Sequence, residues 1–381
     1  MVRKEAQEMI YLDYAATTPM TEGAIEAYSE VARKLAGNPS SLHDMGGGAA
    51  TAIKWARKVI ADKLDVHEDG IIFTGSGTEG NILAILSLVR GVHRGKHIIS
   101  CMAEHTSVHA ALNTLEREGF EVTKLPLTKE GIIDLASLEL AIRPETTLIT
   151  IQHVNSEIGS IQPVKAIAEL ANKFGILIHI DCVQSFCKLD ITDFSGQVDA
   201  ITVSAHKVGG PKGCGAVYIN PHVRATPVFP GVTHERGLRG GTLDTPSIVA
   251  MAVAVEEFMY DITDQWQLRQ DLITSLDKKI FQVIGASPEN QLPNICGICM
   301  RGVEGQYVML KLNEEGIAIS TGSACDVNSA SGTKAILAMG KSLTEARQFF
   351  RISFGSKTKH EEIVKVHEAL NKISMNSNAF L

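Results

Sequence analysis

Short apolar runs alternate with amphipathic segments over the first two thirds of the chain. The apolar runs have the length of buried strands and lie at 71–77, 97–101, 146–154, 176–181, 200–205 and 216–220. The intervening segments repeat their apolar residues at helical spacing, as in 163–175, where Pro163 opens the segment and Gly175 closes it. This alternation predicts an α/β fold, a mainly parallel sheet with helices on both faces.

The pattern changes near residue 244. Two longer helical patterns, 245–262 and 267–284, are followed by a strand-like run at 295–300, and a helical pattern closes the chain at 360–373. This change predicts a second, smaller α+β domain. Because no Pro- or Ser-rich linker separates the two parts, we expect them to pack together.

Composition narrows the classes of function. The 381 residues contain 36 Lys and Arg against 43 Asp and Glu, a net charge of −7 without a long run of one sign. A nucleic-acid partner would favour a basic face, so none is expected. No apolar stretch approaches the ~18 residues of a membrane span, and the N-terminus lacks the apolar core of a signal peptide. We therefore expect no membrane partner and a cytoplasmic location.

The seven cysteines are irregularly spaced, which is typical of reduced thiols in the cytoplasm rather than of a disulfide framework. Cys296 and Cys299 invite a metal-binding interpretation. Residues i and i+3 of a strand point to opposite faces, however, so this pair cannot easily chelate an ion. No histidine pair has a credible zinc spacing either, so the sequence predicts no metal site.

Polar residues follow several predicted strands at the point where each strand ends. They are Gly75 to Gly80, Glu104, His105, Asn155, Asp181, Gln184, Ser204, His206 and Lys207. The carboxyl ends of parallel strands meet at one edge of a sheet, where ligands of α/β proteins bind. The sequence therefore predicts a polar site at this edge.

The first of these turns has the spacing Gly75-x-Gly77-x-x-Gly80, which matches a dinucleotide fingerprint. That fingerprint also requires an acidic residue at the end of the next strand, and this strand ends at Ser100 and Cys101. A simpler interpretation is a site for one phosphate group, bound by backbone N–H groups and Thr78 at a helix N-terminus.

Lys207 and Asp181 end two different predicted strands. Taken alone, Lys207 could be a solvated lysine and Asp181 could cap a helix. Together they supply the amine and the acid that pyridoxal phosphate requires, one for a Schiff base and one opposite the pyridine nitrogen. The pairing favours the cofactor interpretation.

The sequence resembles the NifS/IscS-type cysteine desulfurases, in the class V aminotransferase family of fold-type-I pyridoxal-phosphate enzymes. The resemblance runs from Tyr11 to the final helix. It rests on segments that occur in the family's order: YLDYAATTP (11–19), GNPSSLH (37–43), FTGSGTEGNILAI (73–85), AEHTSV (103–108), HVNSEIGSIQ (153–162), HIDCVQSFCKLDI (179–191), SAHKVGGPKGCGA (204–216), HERGLRGGT (234–242), STGSAC (320–325) and RISFG (351–355).

The resemblance implies how pyridoxal 5′-phosphate would be bound. Lys207 would carry it covalently, and Asp181 would face the pyridine nitrogen. Asn155 and Gln184 would bond the ring hydroxyl, while His105 would stack on the ring and move protons.

The resemblance also implies a phosphate site and a homodimer. Gly77, Thr78, Ser204 and His206 would hold the cofactor phosphate. Thr242 would reach the phosphate of the neighbouring subunit. The loop 234–242 agrees with a site between subunits, because it is charged and has no evident use within one subunit.

The implied reaction converts L-cysteine to L-alanine and leaves the sulfur as a persulfide on Cys325. Arg351 and Asn155 would bind the substrate, Arg351 by clamping its carboxylate. Cys325 lies in a segment rich in small polar residues, 321–333, which predicts a mobile surface loop. A sulfur-acceptor protein, for iron–sulfur clusters or another thio-cofactor, would receive the persulfide.

The implied domains are a large cofactor-binding domain, 16–256, and a small domain formed by 1–15 and 257–381, which carries Cys325 and Arg351. The sequence departs from the commonest family pattern at Ile82, Cys182 and Asp326, among other positions, which leaves the acceptor open. Three alternatives also stay open: a selenocysteine lyase or aminotransferase on the same fold, a non-catalytic scaffold that binds the acceptor, and a dinucleotide oxidoreductase.

Overall fold

The computed structural model describes residues 9–92, 94–322 and 333–378, with the side chains of 376–378 excepted. The strands are β1 (Ile10–Tyr11), β2 (Ile71–Thr74), β3 (His97–Cys101), β4 (Glu121–Leu125), β5 (Thr146–Gln152), β6 (Leu177–Asp181), β7 (Ala200–Ser204), β8 (Gly215–Ile219), β9 (Phe281–Ile284), β10 (Ile295–Met300), β11 (Ile317–Ala318) and β12 (Phe349–Ser353). The helices are α1 (Glu22–Lys34), α2 (Asp44–Leu64), α3 (Gly77–Gly91), α4 (Thr106–Arg117), α5 (Leu135–Ala141), α6 (Val164–Lys173), α7 (Thr192–Ser195), α8 (Thr245–Glu257), α9 (Ile262–Ser275), α10 (Gly305–Glu314), α11 (Lys334–Ala338), α12 (Leu343–Arg347) and α13 (His360–Asn378).

Seven strands form the main sheet in the order β2-β8-β7-β6-β5-β3-β4. The run from β7 to β4 is parallel throughout, and β8 is antiparallel to both β7 and β2. This confirms the predicted α/β class. Strand β4 was not predicted, because it lies at the sheet edge and only Leu125 of its residues is buried. An edge strand lacks the continuous apolar run that marks the central strands.

Helices cover both faces of this sheet, as the alternation of strands and helices predicts. Ile98 packs with α3 and α4 in one apolar cluster, whereas the next residue, Ile99, packs with α2, α6 and α8 in another. Successive strand residues point to opposite faces. The main sheet therefore has a hydrophobic core on each side.

A smaller antiparallel sheet, β12-β10-β9, packs in a separate apolar cluster with α9, α10 and α13. Cys296 of β10 lies in this cluster and Cys299 in the large one, which confirms that the two thiols point to opposite faces. The helical pattern predicted over 267–284 is wrong in its second half, where β9 replaces helix. A turn at Asp277 separates α9 from β9, and its carboxylate accepts the Lys279 N–H at 2.8 Å.

The N-terminal segment and β12 meet beside the main sheet. Asp13 pairs with Ser353, and Ile10 of β1 pairs with Ile317 of β11. The division into 16–256 and 1–15 with 257–381 stays a prediction. In the part of the chain that the structure describes, every helix is too short or too polar to cross a bilayer.

Candidate active site

A cavity of about 420 Å³ opens at the carboxyl ends of the parallel strands. Nine of the predicted site residues line it: Gly77, Thr78, His105, Asp181, Gln184, Ser204, His206, Lys207 and Arg351. Asn155 and Thr242 do not line it, and Cys325 lies outside the described residues. Residues that end different strands therefore share one cavity, as the sheet topology requires.

One corner of the cavity is a cradle at the start of α3. Ser76 caps this helix, its hydroxyl accepting the Glu79 N–H at 3.1 Å. A Cβ atom at Gly77 would stand 2.9 Å from the Val183 side chain and 3.3 Å from Ser204 Cβ, so only glycine fits there. The first N–H groups of a helix have no carbonyl one turn earlier, and they attract anions. This cradle suits a phosphate group.

Lys207 extends into the cavity from the turn that follows β7. Its ammonium donates to the carbonyl oxygens of Ala15 and Ala16, the latter at 2.9 Å. The N-terminal segment, which is remote in sequence, thereby holds the lysine in place. Next to it, His206 has a pKa of about 4, because burial disfavours its charged form and the charge of Lys207 adds to the effect.

Asp181 ends β6 and is buried. One carboxylate oxygen accepts the Val183 N–H at 3.0 Å, and the other accepts the Asn81 side-chain amide at 2.7 Å. Asn81 lies on α3, one turn after Gly77, and also lines the cavity. The role of Asn81 was not predicted from the sequence, although its position four residues after Gly77, on the same helix face, was a usable signal.

His105 caps α4 and faces the cavity. Its Nδ1 atom lies 2.7 Å from the Ser107 hydroxyl and accepts the Ser107 N–H at 3.2 Å. His105 is an exposed residue, and the partial loss of water around its ring lowers its pKa. The charges of Lys207 and Lys334 lower that pKa further, while Asp181 opposes them.

The neighbouring Glu104 is a second residue that sequence analysis left without a role. It is 1% exposed, and burial raises its pKa well above the usual carboxyl range. One of its oxygens accepts the Gln152 N–H at 3.1 Å, and the other has no partner among the described residues. Glu104 therefore contributes to the cavity a buried carboxyl group whose charged form is disfavoured and whose second oxygen has no partner among the described residues.

Asn155 is buried, and its side chain makes hydrogen bonds within the turn that follows β5. Its side-chain oxygen accepts the N–H groups of Glu157 and Ile158 at 2.9 and 3.0 Å. Its amide nitrogen is 3.4 Å from the Ala103 carbonyl. In this structure Asn155 stabilises a turn at the rim of the cavity, and its predicted contact with a cofactor hydroxyl stays a prediction.

The loop 234–242 makes contacts within its own subunit. The prediction that it has no evident use there is therefore wrong. Glu235 pairs with Arg57 at 2.7 Å and accepts the Phe73 N–H of β2 at 2.6 Å. Arg239 pairs with Glu79 of α3 at 2.9 Å. The loop is thus fastened to the elements that carry the phosphate cradle, while Thr242 is exposed.

Arg351 of β12 forms the opposite side of the cavity and is 5% exposed. Its guanidinium donates to the Ser156 carbonyl and to the Asp13 carboxylate, both at 2.7 Å. Its Nε has no partner among the described residues. Beside it, burial raises the pKa of Glu157 to about 7, although the Ala335 N–H donates to this carboxyl at 2.7 Å.

The cysteines that the structure describes are poor nucleophiles. Five of these six are buried, and Cys187 is half-buried. Burial raises the pKa of every one, to about 12 for Cys187, Cys214 and Cys299. Since the thiolate is the reactive form, these thiols are inert at neutral pH.

Unmet hydrogen bonds concentrate in the cavity. Among the described residues, eight buried side-chain polar atoms lack a partner, and five belong to residues that line this cavity. These five atoms are Asn81 Oδ1, Glu104 Oε2, Gln184 Oε1, Ser204 Oγ and Arg351 Nε. Buried polar groups are ordinarily hydrogen-bonded, so the cavity is suited to a polar ligand. A ligand with a phosphate at the Gly77 cradle and a ring between Asp181 and His105 fits this donor and acceptor set.

Comparison with known proteins agrees with this chemistry. Residues 10–366 match the family described as Aminotransferase class-V. A Bacillus subtilis protein provisionally named cysteine desulfurase NifS is 42% identical over 93% of this chain and 92% of its own. The cysteine desulfurase IscS of Dictyoglomus turgidum is 36% identical over 96% and 94%.

Solved structures agree as well. A NifS-like protein superposes with a TM-score of 0.88 at 30% identity, covering 98% of this chain and all of its own. A structure described as SspA in complex with cysteine has a TM-score of 0.81 at 36% identity, covering 91% and 99%. The match over nearly the whole chain means that this protein belongs to the class V aminotransferase family.

Proposed function

We propose that this protein is a cysteine desulfurase, which converts L-cysteine to L-alanine and retains the sulfur as an enzyme persulfide. The observation that carries the proposal is one cavity that combines an anion cradle, Lys207, Asp181 and Arg351. The named relatives are cysteine desulfurases, and the family uses pyridoxal 5′-phosphate.

The cofactor would lie between the cradle and Lys207. Gly77, Thr78, Ser204 and His206 would hold its phosphate, and the unpartnered Ser204 hydroxyl supports this. When bound, pyridoxal phosphate supplies an electron sink for charge that develops at the substrate α-carbon.

The ring of the cofactor would be held by side chains that line the cavity or its rim. Asp181 would keep the pyridine nitrogen protonated, and His105 would stack on the ring. Gln184 and Asn155 would bond the ring hydroxyl. The unpartnered Gln184 oxygen supports its part in this arrangement.

Arg351 would bind the substrate carboxylate. A guanidinium binds a carboxylate best through two parallel N–H groups. Two of its donors are engaged by Ser156 and Asp13, while Nε has no partner among the described residues. Arg351 would therefore orient cysteine with its amine toward Lys207, and Asn155 at the rim would assist.

Cys325 would accept the sulfur. Its thiolate attacks the substrate sulfur, so a sulfur–sulfur bond forms as the carbon–sulfur bond breaks. The carbon keeps the electron pair and takes a proton, which gives alanine. The protonated state of the six described thiols leaves Cys325 as the remaining candidate nucleophile.

We propose the sulfur acceptor, the cellular location, the oligomeric state and the domain division from the same family relationship. The persulfide passes to an acceptor protein, for iron–sulfur clusters or another thio-cofactor, in the cytoplasm. The protein acts as a homodimer, with Thr242 reaching the neighbouring subunit's cofactor phosphate. The large and small domains divide at residues 15 and 256.

Incubation with L-cysteine tests the function. Alanine should accumulate, and mass spectrometry should find one additional sulfur on the peptide that carries Cys325. Cys325→Ser should abolish both signals, whereas the matched variant Cys187→Ser should retain them. Sulfur located on Cys182 or Cys187, or full turnover by Cys325→Ser, would contradict the proposed nucleophile.

A further inference from the structure

A chain of hydrogen bonds joins Asp181 to His105 behind the cavity surface. Asn81 donates to Asp181 at 2.7 Å and to Ser107 at 2.9 Å, and Ser107 contacts His105 Nδ1 at 2.7 Å. We propose that Asn81 and Ser107 are positioning residues that hold His105 in the tautomer protonated at Nε2. This His105 therefore presents a hydrogen-bond donor to whatever occupies the cavity.

The backbone fixes the state of Nδ1. The Ser107 N–H points at this atom from 3.2 Å, as the capping contact at the start of α4. A backbone N–H can only donate, so Nδ1 must accept and carries no proton. In a neutral imidazole the proton is then on Nε2.

The side chains lead to the same result independently. A carboxylate can only accept, so the contact with Asp181 fixes the Asn81 amide with its nitrogen toward this carboxylate. The second N–H of that nitrogen goes to the Ser107 hydroxyl, which therefore accepts from Asn81. The single hydroxyl hydrogen of Ser107 is left for His105 Nδ1. Asn81 and Ser107 are 1% and 3% exposed, so water does not compete for these bonds.

The surroundings of the ring favour the neutral form that the Nδ1 contacts require. Partial loss of water lowers the pKa of His105, the charge of Asp181 opposes this, and the charges of Lys207 and Lys334 lower the pKa further. The ring nitrogen left for a ligand is Nε2, because Nδ1 is engaged by Ser107 twice.

The catalytic consequence rests on the proposed function. In the proposed reaction, a neutral His105 held in this tautomer donates a hydrogen bond at Nε2 and cannot take a proton at that atom. Proton removal from the substrate then falls to another group that lines the cavity, such as the Lys207 amine. His105 serves as a hydrogen-bond donor that orients the ligand.

The tautomer can be read directly by ¹⁵N NMR of histidine-labelled full-length protein, before and after cofactor loading. Wild-type His105 should show a protonated Nε2 and an unprotonated, hydrogen-bonded Nδ1 at neutral pH. In Ser107→Ala the Nδ1 resonance should move toward that of a nitrogen without a hydrogen bond. The control is Ser87→Ala, another buried serine, on α3, whose hydroxyl has no partner among the described residues. It should leave the His105 signals unchanged.

Steady-state kinetics distinguish a positioning role of Ser107 from a purely structural one. Loss of one buried hydrogen bond is worth ~1 kcal/mol, so Ser107→Ala should lower kcat for alanine formation by roughly five- to tenfold and change KM little. Ser87→Ala should retain both constants. A proton on Nδ1 in the wild type, or Ser107→Ala with wild-type kcat and an unmoved Nδ1 resonance, would overturn the inference. A wild-type protein that makes no alanine but shows the expected tautomer would overturn the proposed function alone.

Discussion

The two sides of the cavity are built differently. The sheet wall, formed by Gly77, Asn81, Asp181 and Ser204, comes from strand ends and one helix start within the main sheet. The arginine wall, formed by Arg351 with Asp13 and Glu157, joins parts of the chain as much as 338 residues apart. The sheet wall is held by backbone and amide hydrogen bonds, while the arginine wall depends on an ion pair and a buried carboxyl group.

This difference is consistent with the separate tasks proposed for the two walls. A fixed network of uncharged donors is suited to holding a resident cofactor in one orientation. A guanidinium with an unpartnered Nε is suited to a substrate that arrives and leaves. Variants of the sheet wall should therefore affect cofactor chemistry and kcat, and variants of the arginine wall should affect substrate binding or stability.

The largest effect is expected from Lys207→Ala, which removes the amine between the two walls. Turnover of L-cysteine should be lost, because Lys207 supplies the amine that would hold the cofactor in this cavity. Circular dichroism and thermal unfolding should show that the variant still folds. Turnover at the wild-type rate would refute the assignment of Lys207.

Asp181→Asn should reduce kcat by about a hundredfold. An amide cannot stabilise a protonated pyridine nitrogen, and a change of two pKa units corresponds to ~2.7 kcal/mol. Borohydride should still fix the cofactor to the chain, since Lys207 is unchanged. A near-normal kcat would mean that Asp181 does not face the pyridine nitrogen. It would contradict the proposed role of the sheet wall in cofactor binding.

Arg351→Lys tests the arginine wall. Lysine keeps the charge but not the planar fork, so the KM for L-cysteine should rise roughly tenfold or more while cofactor content stays unchanged. Arg33→Lys on the exposed side of α1 is the matched control and should keep the wild-type KM. A loss of cofactor without a change in KM would mean that Arg351 holds the cofactor and does not bind the substrate.

The smallest effect is on stability and concerns Glu157. Its pKa is raised from 4.5 to about 7, chiefly by burial, so the unfolded chain loses this proton at lower pH than the folded protein does. Stability is therefore lost as pH rises from about 4.5 to 7, by ~3 kcal/mol at most. Glu157→Gln removes this loss, and its amide oxygen can still accept the Ala335 N–H.

Thermal unfolding at two pH values measures this effect. Glu157→Gln should match the wild-type midpoint near pH 5 and exceed it by several degrees near pH 8. Glu130→Gln, at an exposed position, should give the same difference from wild type at both values. A Glu157→Gln variant without any pH-dependent gain would contradict the buried carboxyl group.

The two walls also differed in how far the sequence predicted them. Asp181, Ser204 and Lys207 follow apolar runs, and the topology of a parallel sheet brings such positions together without any knowledge of side-chain contacts. Arg351 lies in an antiparallel strand, where no such rule applies, and only the family resemblance identified it. Its pairing with Asp13 depends on tertiary structure that local patterns do not encode.

Neither the strand-end pattern nor the family resemblance predicted the roles of some residues. Asn81 sits within a helix of apolar residues and resembles an ordinary buried polar residue until its contacts with Asp181 and Ser107 are seen. Glu104 stands beside the predicted His105, and its raised pKa results from burial that no local pattern reveals. Cys325 lies outside the described residues, and its role stays a prediction.

The central claim is that one cavity holds pyridoxal phosphate on Lys207 between these two walls. Borohydride reduction of the purified, cofactor-loaded protein, followed by peptide mass spectrometry, tests it most directly. The reduced cofactor is expected on the peptide that contains Lys207. Cofactor fixed to Lys334, which lines the same cavity, or to the buried Lys188 would contradict it.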